Sequence, residues 1–257
     1  MEASGPGRAL NETQYGRFES LRPPQLAAIL QTKPVAWLPV SPLEWHGEAL
    51  PFGTDALTAN AITERAWKLT GGVLLPLLPL GAETDYKQWE AGGLKTYQGL
   101  EVVTKQRNPG SLYVRSVTLE LVLVDYLTAL ERQGFRVGVV VSAHLSFEHM
   151  QVLQEVCARP RSNLQVLLWR TLAEPAEVPP HLHLTANDGG HADIIEASIM
   201  SAIAPSSVDL AVFGTAGRDR SIGLSAENVQ AIDPAKGRAL VEYNAAQLSA
   251  RVTELLG

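Results

Sequence analysis

Two short runs, residues 34–40 and 137–141, are apolar at position after position instead of alternating with polar residues. That is the pattern of strands buried on both faces, which occur in parallel sheets covered by helices. The rest of the chain agrees. A helix is predicted from residue 21 to 30, where two prolines fall in a first turn that tolerates them. Further helices are predicted over 56–69, 117–133, 225–229 and 234–256, and further strands over 73–80 and 164–169. Strand and helix in alternation predict an α/β fold, three-layer α/β/α with a mainly parallel sheet. At 257 residues and 46% hydrophobic content, the chain can bury one large core. Residues 1–20 are polar and contain glycine without an apolar stretch, so they read as a loose leader and not a signal peptide, with a single domain over 21–257.

The residues just past each buried run carry the chemistry. Glu44 and His46 emerge beyond the first strand's carboxyl end, where open α/β sheets build their sites. Two apart in an extended segment, their side chains point to the same side, and the turn at Gly53 and Thr54 can fold Asp55 back to meet them. Two carboxylates and an imidazole suit a hard or borderline divalent ion. Against this stands the plainer reading of a solvated loop, since such residues are mostly exposed. His144 comes directly after the second run, and the apolar spacing of residues 194–200 places His191 and Glu196 at or near a helix start.

In this order the segments resemble the creatininase (creatinine amidohydrolase) superfamily of metal-dependent hydrolases. Its first block, Glu-x-His-Gly then Pro-x-Gly-Thr-Asp, is matched at Glu44, His46, Gly47, Pro51, Gly53, Thr54 and Asp55. Further echoes are Asn108 to Leu112, Asp125 with Gly134 and Phe135, and Asp233 and Pro234 with Lys236 and Gly237, so that the resemblance covers roughly residues 34 to 250. It implies a creatininase-like fold and a site for two divalent metal ions. Glu44, Asp55 and His144 would hold one ion and His46, Asp55 and Glu196 the other, with Asp55 bridging. It also implies that His191 transfers a proton, that Asp188 orients His191 or holds a substrate nitrogen, and that the chain is a homo-oligomer, a hexamer. Zinc is the default ion, with manganese or iron close behind, because a mixed carboxylate and imidazole set discriminates weakly.

The departures concern the substrate. Where the superfamily has Asn-Gly-His-Gly-Gly-Asn, this chain has Ser142, Ala143, His144, Leu145, Ser146 and Phe147. Leu145 and Phe147 in place of glycine and asparagine imply a narrower, more apolar pocket. Creatininase itself uses a carboxylate at the position of Ser146 and aromatic groups at the positions of Leu145 and Asn187, so creatinine is not the expected substrate. Trp89, Leu145, Ser146, Phe147 and Asn187 are the candidate substrate contacts. Glu148 is either a replacement carboxylate or a partner for a helix dipole. Tyr86 and Trp89 either wall the pocket or sit in an exposed loop with one anchoring aromatic. His181 and His183 alternate with leucines and are assigned structural or substrate-contact roles before a metal role.

A formal charge of -6 argues against nucleic acid or an anionic membrane as partner, since both require positive patches. No apolar run reaches the roughly 20 residues that span a bilayer. The single cysteine, Cys157, excludes an internal disulfide and fits a reducing, cytoplasmic setting; its apolar neighbours make it an inert core thiol. The expected function is metal-dependent hydrolysis of a C–N bond in a small-molecule amide. A biosynthetic reaction at the same metal site (amide formation, rearrangement or C–C ring opening) is the alternative, and a non-catalytic binding protein on this scaffold is a weaker one.

Overall fold

The computed structural model describes residues 14–83, 96–97, 100–101, 110–172, 176–182, 184, 190–214, 224 and 228–257. Five strands form one sheet: β1 (Tyr15–Arg17), β2 (Val35–Pro39), β3 (Gly72–Leu74), β6 (Val137–Ser142) and β7 (Gln165–Arg170). Their order is β1-β3-β2-β6-β7 and every pairing is parallel. A separate antiparallel pair joins β4 (Thr96–Tyr97) to β5 (Leu100–Glu101). Among the described residues there are six α-helices: α1 (Pro23–Thr32), α2 (Thr54–Thr70), α3 (Ser116–Gln133), α4 (Phe147–Cys157), α5 (Ile194–Ile203) and α6 (Pro234–Leu256).

The two apolar runs are the paired strands β2 and β6, buried at every residue. Successive side chains leave opposite faces of a strand, so each run feeds two cores. Val35, Trp37, Val137, Val139 and Val141 pack with residues of α2, α5 and α6, while Ala36, Leu38 and Val140 pack with residues of α1, α3 and α4. This is the expected three-layer arrangement. Each fully buried side chain of the Val or Leu type contributes about 1.5–3 kcal/mol, which is why the strand pair can anchor functional residues at its carboxyl ends.

Helices α5 and α6 meet more closely than side chains permit. A Cβ on Gly237 would lie 2.1 Å from the Ser198 carbonyl oxygen, so glycine is needed in α6 for the backbones to touch. The contact holds the helix that carries Glu196.

Several expectations need correction. Tyr15–Arg17, expected as part of the loose leader, is an edge strand paired with β3. The strand expected over 73–80 pairs only at Gly72–Leu74, with one further bridge between Val40 and Leu78. Pro76 and Pro79 lack the N–H that a ladder needs. Helix α2 starts two residues early and takes Asp55 into its first turn. Helix α4 was not among the predicted elements. Of the helix expected over 225–229, residues 225–227 lie outside the described residues, and Val229–Ala231 form a 3-10 turn. No described helix is long and apolar enough to cross a membrane.

Candidate metal centre

The loop after β2 is tied down by its own backbone. The Glu44 N–H donates to the Phe52 carbonyl at 2.8 Å, Leu43 bridges Leu112, and the Trp45 N–H donates to Ser111 Oγ at 2.9 Å. Both the N–H and the hydroxyl of Thr54 donate to the Pro51 carbonyl, which starts α2 and fixes Asp55 in its first turn. His144 arrives from the end of β6, beside β2. Two neighbouring strands and one helix start therefore deliver four of the five expected ligands to one place, and α5 brings Glu196.

The five residues form two triads that share Asp55. Ligand atoms of Glu44, Asp55 and His144 lie within 4.8 Å of one another, as do those of His46, Asp55 and Glu196. Asp55 turns one oxygen to each: Oδ1 is 3.3 Å from His46 Nε2, and Oδ2 is 3.1 Å from His144 Nδ1. Glu44 Oε2 is 2.9 Å from His144 Nδ1, and Glu196 Oε2 is 3.6 Å from His46 Nε2. Each imidazole has its other nitrogen committed. His46 Nδ1 donates to the Glu44 carbonyl at 2.9 Å, and His144 Nε2 donates to the Ala82 carbonyl at 3.2 Å. The nitrogens left over, His46 Nε2 and His144 Nδ1, thus face the carboxylates.

Such a cluster is unfavourable by itself. Burial works against a charged His46, but Asp55 and Glu196 outweigh it and raise its pKa well above the ordinary value; Glu44, Asp55 and Glu83 do the same for His144. Burial opposes ionisation of Asp55, yet His46 and His144 hold its carboxyl well below the usual range. Glu44 Oε2 and His46 Nε2 are buried and, apart from these ion pairs, make no hydrogen bond. A divalent cation in each triad would displace the protons and satisfy both atoms, so the donor set fits two such ions.

The surrounding groups brace this arrangement. Tyr113 donates to Glu44 Oε1 at 2.6 Å; burial, Glu44 and Glu83 push its phenol well above the ordinary value, so it stays a neutral donor. The Ala192 N–H donates to Glu196 Oε2 at 2.7 Å. To aim that N–H, Ala192 adopts φ 52°, a left-handed conformation costing about 1–3 kcal/mol in a residue other than glycine. Asp193 caps α5 by accepting from the Glu196 N–H at 2.8 Å. Burial, then the Glu196 charge, push its carboxyl up to about 8.

His191 lies against the cluster, its ring 4.3 Å from that of His46 and its Nε2 donating to the Trp45 carbonyl at 2.8 Å. It also makes a third metal-capable group with Glu44 and His46. Leu145 and Phe147, just past His144, are 45% and 75% exposed, while Ser146 Oγ donates to the Ala82 carbonyl at 3.1 Å. Glu148 is buried in the first turn of α4 and accepts from Ser116 Oγ; it joins none of the metal-capable groups among the described residues. His149 is buried edge-on to His144, with Nε2 donating to Ser142 Oγ and Nδ1 accepting from the Ala82 N–H. Burial and the neighbouring His144 keep its pKa well below the ordinary value. Burial pushes the Cys157 thiol up to about 12, away from reactivity. Tyr86, Trp89, His183, Asn187 and Asp188 lie outside the described residues. Glu83, Tyr113 and Ser111 were not singled out as site residues in sequence; Ser111 fell in a family-like segment, but nothing marked Glu83.

Residues 19–252 match the creatininase family, described as creatinine amidohydrolase. A creatinine amidohydrolase of Pseudomonas putida is 26% identical over 188 residues, which span 68% of this chain and 66% of that enzyme, just under two thirds of its length. Among solved structures, creatininase with Mn superposes with a TM-score of 0.67 at 21% identity, covering 94% of this chain and 98% of the other. A mutant creatininase of Zn-Zn type superposes with a TM-score of 0.67 at 21% identity, covering 93% and 97%. At these identities the structural likeness speaks for the fold.

Proposed function

The chain belongs to the creatininase family, and from that premise we propose that it is a metal-dependent amidohydrolase cleaving a C–N bond of a small cyclic or linear amide at a site for two divalent ions. The observation that carries this reading is Asp55, whose two oxygens face the two triads separately. Glu44, Asp55 and His144 would hold one ion, and His46, Asp55 and Glu196 the other. Zinc is the first choice, with manganese next. Ions held there would supply polarisation of the amide carbonyl and activation of water at neutral pH.

The chain's own groups do the rest. His46 and His144, each locked by a donated N–H, present one lone pair inward and cannot rotate away without losing that bond. His191 has spent its Nε2 proton on the Trp45 carbonyl, so Nδ1 is the atom left to accept a proton from the attacking water and pass it to the leaving nitrogen. Asp188 orients His191 in this reading. Leu145, Ser146 and Phe147 border the approach to His144 and, with Trp89 and Asn187, select the substrate. Ser146 offers a hydroxyl already bonded to Ala82 where creatinine would require a carboxylate. By the family resemblance the chain is also a homo-oligomer in this reading.

Metal-loaded protein assayed against a panel of small cyclic and linear amides tests the reading. Turnover of at least one amide, abolished by a chelator, is expected, with creatinine marginal. Robust creatinine hydrolysis would overturn the assignment of specificity to residues 145–147.

A further inference from the structure

Glu83 lies outside both triads, yet its carboxylate stands beside His144, a member of one of them. The segment that carries it is pressed against the loop after β2: a Cβ on Gly81 would lie 2.5 Å from Pro42, so only glycine permits the approach. The Gly81 carbonyl is tied to the Val114 N–H at 2.9 Å, beside Tyr113. The next two residues both act on His144. Its Nε2 lies 3.2 Å from the Ala82 carbonyl and 3.4 Å from Glu83 Oε2. The Ala82 N–H is itself held by His149.

We propose that Glu83 is a positioning residue for metal binding, its carboxylate acting with the Ala82 carbonyl to keep the His144 proton on Nε2 and so direct Nδ1 to the ion shared with Glu44 and Asp55. The proposal rests on the two-ion reading above. At 3.4 Å the carboxylate acts mainly by charge, with the carbonyl as the nearer acceptor. A carboxylate behind an imidazole raises its basicity and hence its strength as a ligand, and losing such a partner weakens metal affinity about 10–100-fold. Among the described residues His46 has no equivalent: its Nδ1 donates to the backbone carbonyl of Glu44. The effect of Glu83 therefore falls on one ion and spares the other.

The test is stepwise titration of metal-free protein with Zn(II) against a chromophoric chelator, repeated with Co(II) for its absorption spectrum. A Glu196→Ala background isolates the ion of the His144 triad. There Glu83→Ala should weaken binding by about 10–100-fold and shift the Co(II) bands. Glu83→Gln, which keeps an acceptor but loses the charge, should fall between Glu83→Ala and the parent. In a His144→Ala background neither change should alter the remaining ion. Native affinity in both Glu83 variants would overturn the proposal. So would equal weakening of both ions with a lower melting temperature of metal-free protein, which would make Glu83 merely structural. Uptake of fewer than two ions by the unaltered chain would instead overturn the two-ion reading, and is visible before any Glu83 variant is made.

Discussion

Glu44, Asp55 and His144 keep only 4–5% of their side-chain surface in solvent, whereas Glu196, on the other side of the shared Asp55, keeps 21%. The buried triad is assembled from the ends of β2 and β6 and the start of α2, elements rooted in the centre of the sheet. Tyr113, Ala82 and Glu83 back it. The more open triad depends on α5, whose first turn needs a left-handed Ala192 and a buried Asp193 cap to hold Glu196. One half is braced by the core and the other by local backbone geometry. His191 stands on the open side, against His46. On the proposed two-ion reading, the contrast predicts firmer retention of an ion in the His144 half than in the Glu196 half.

The largest effect should come from the open side. His191→Ala should lower turnover about a hundredfold or more, the usual size of a lost general acid or base, with metal content unchanged. Metal stoichiometry and turnover measured on one preparation decide the matter. Lost metal would make His191 a ligand, in line with its grouping with Glu44 and His46, and unaltered turnover would make it structural.

A smaller change should separate the halves from a distance. Gly237→Ala places a methyl against the Ser198 carbonyl and must push α5 away from α6, a kind of overpacking that costs about 1–3 kcal/mol or more. The melting temperature should fall, and the Glu196 half should lose metal affinity while the His144 half keeps it. Equal weakening of both ions would erase the contrast, since the atoms nearest to a Cβ on Gly237 belong to the helix that carries Glu196.

The ligands and the groups that back them differ in how far the sequence exposes them. Glu44, His46 and His144 were legible because each lies just beyond an unbroken apolar run, and Glu196 because helical spacing begins beside it. Asp55 was found, but not its place inside α2, because the Gly53 and Thr54 turn looked like a continuing loop. Glu83 and Tyr113 carry no local signal. They reach the site only because residues 81–83 and 111–114 cross the carboxyl ends of the central strands, a matter of topology. The edge strand Tyr15–Arg17 was missed for a related reason: a strand paired on one side and largely exposed needs no apolar run. The prolines at 76 and 79, by contrast, were a visible reason to shorten β3, since neither can donate to a ladder.

The shared Asp55 is the centre of the account, and metal counting tests it most directly. Elemental analysis of the purified, metal-loaded chain should give two divalent ions per chain, and Asp55→Ala should lose both, because Oδ1 and Oδ2 serve different triads. A variant that folds and still holds its full complement of metal would contradict the bridging role, and with it the two-ion site.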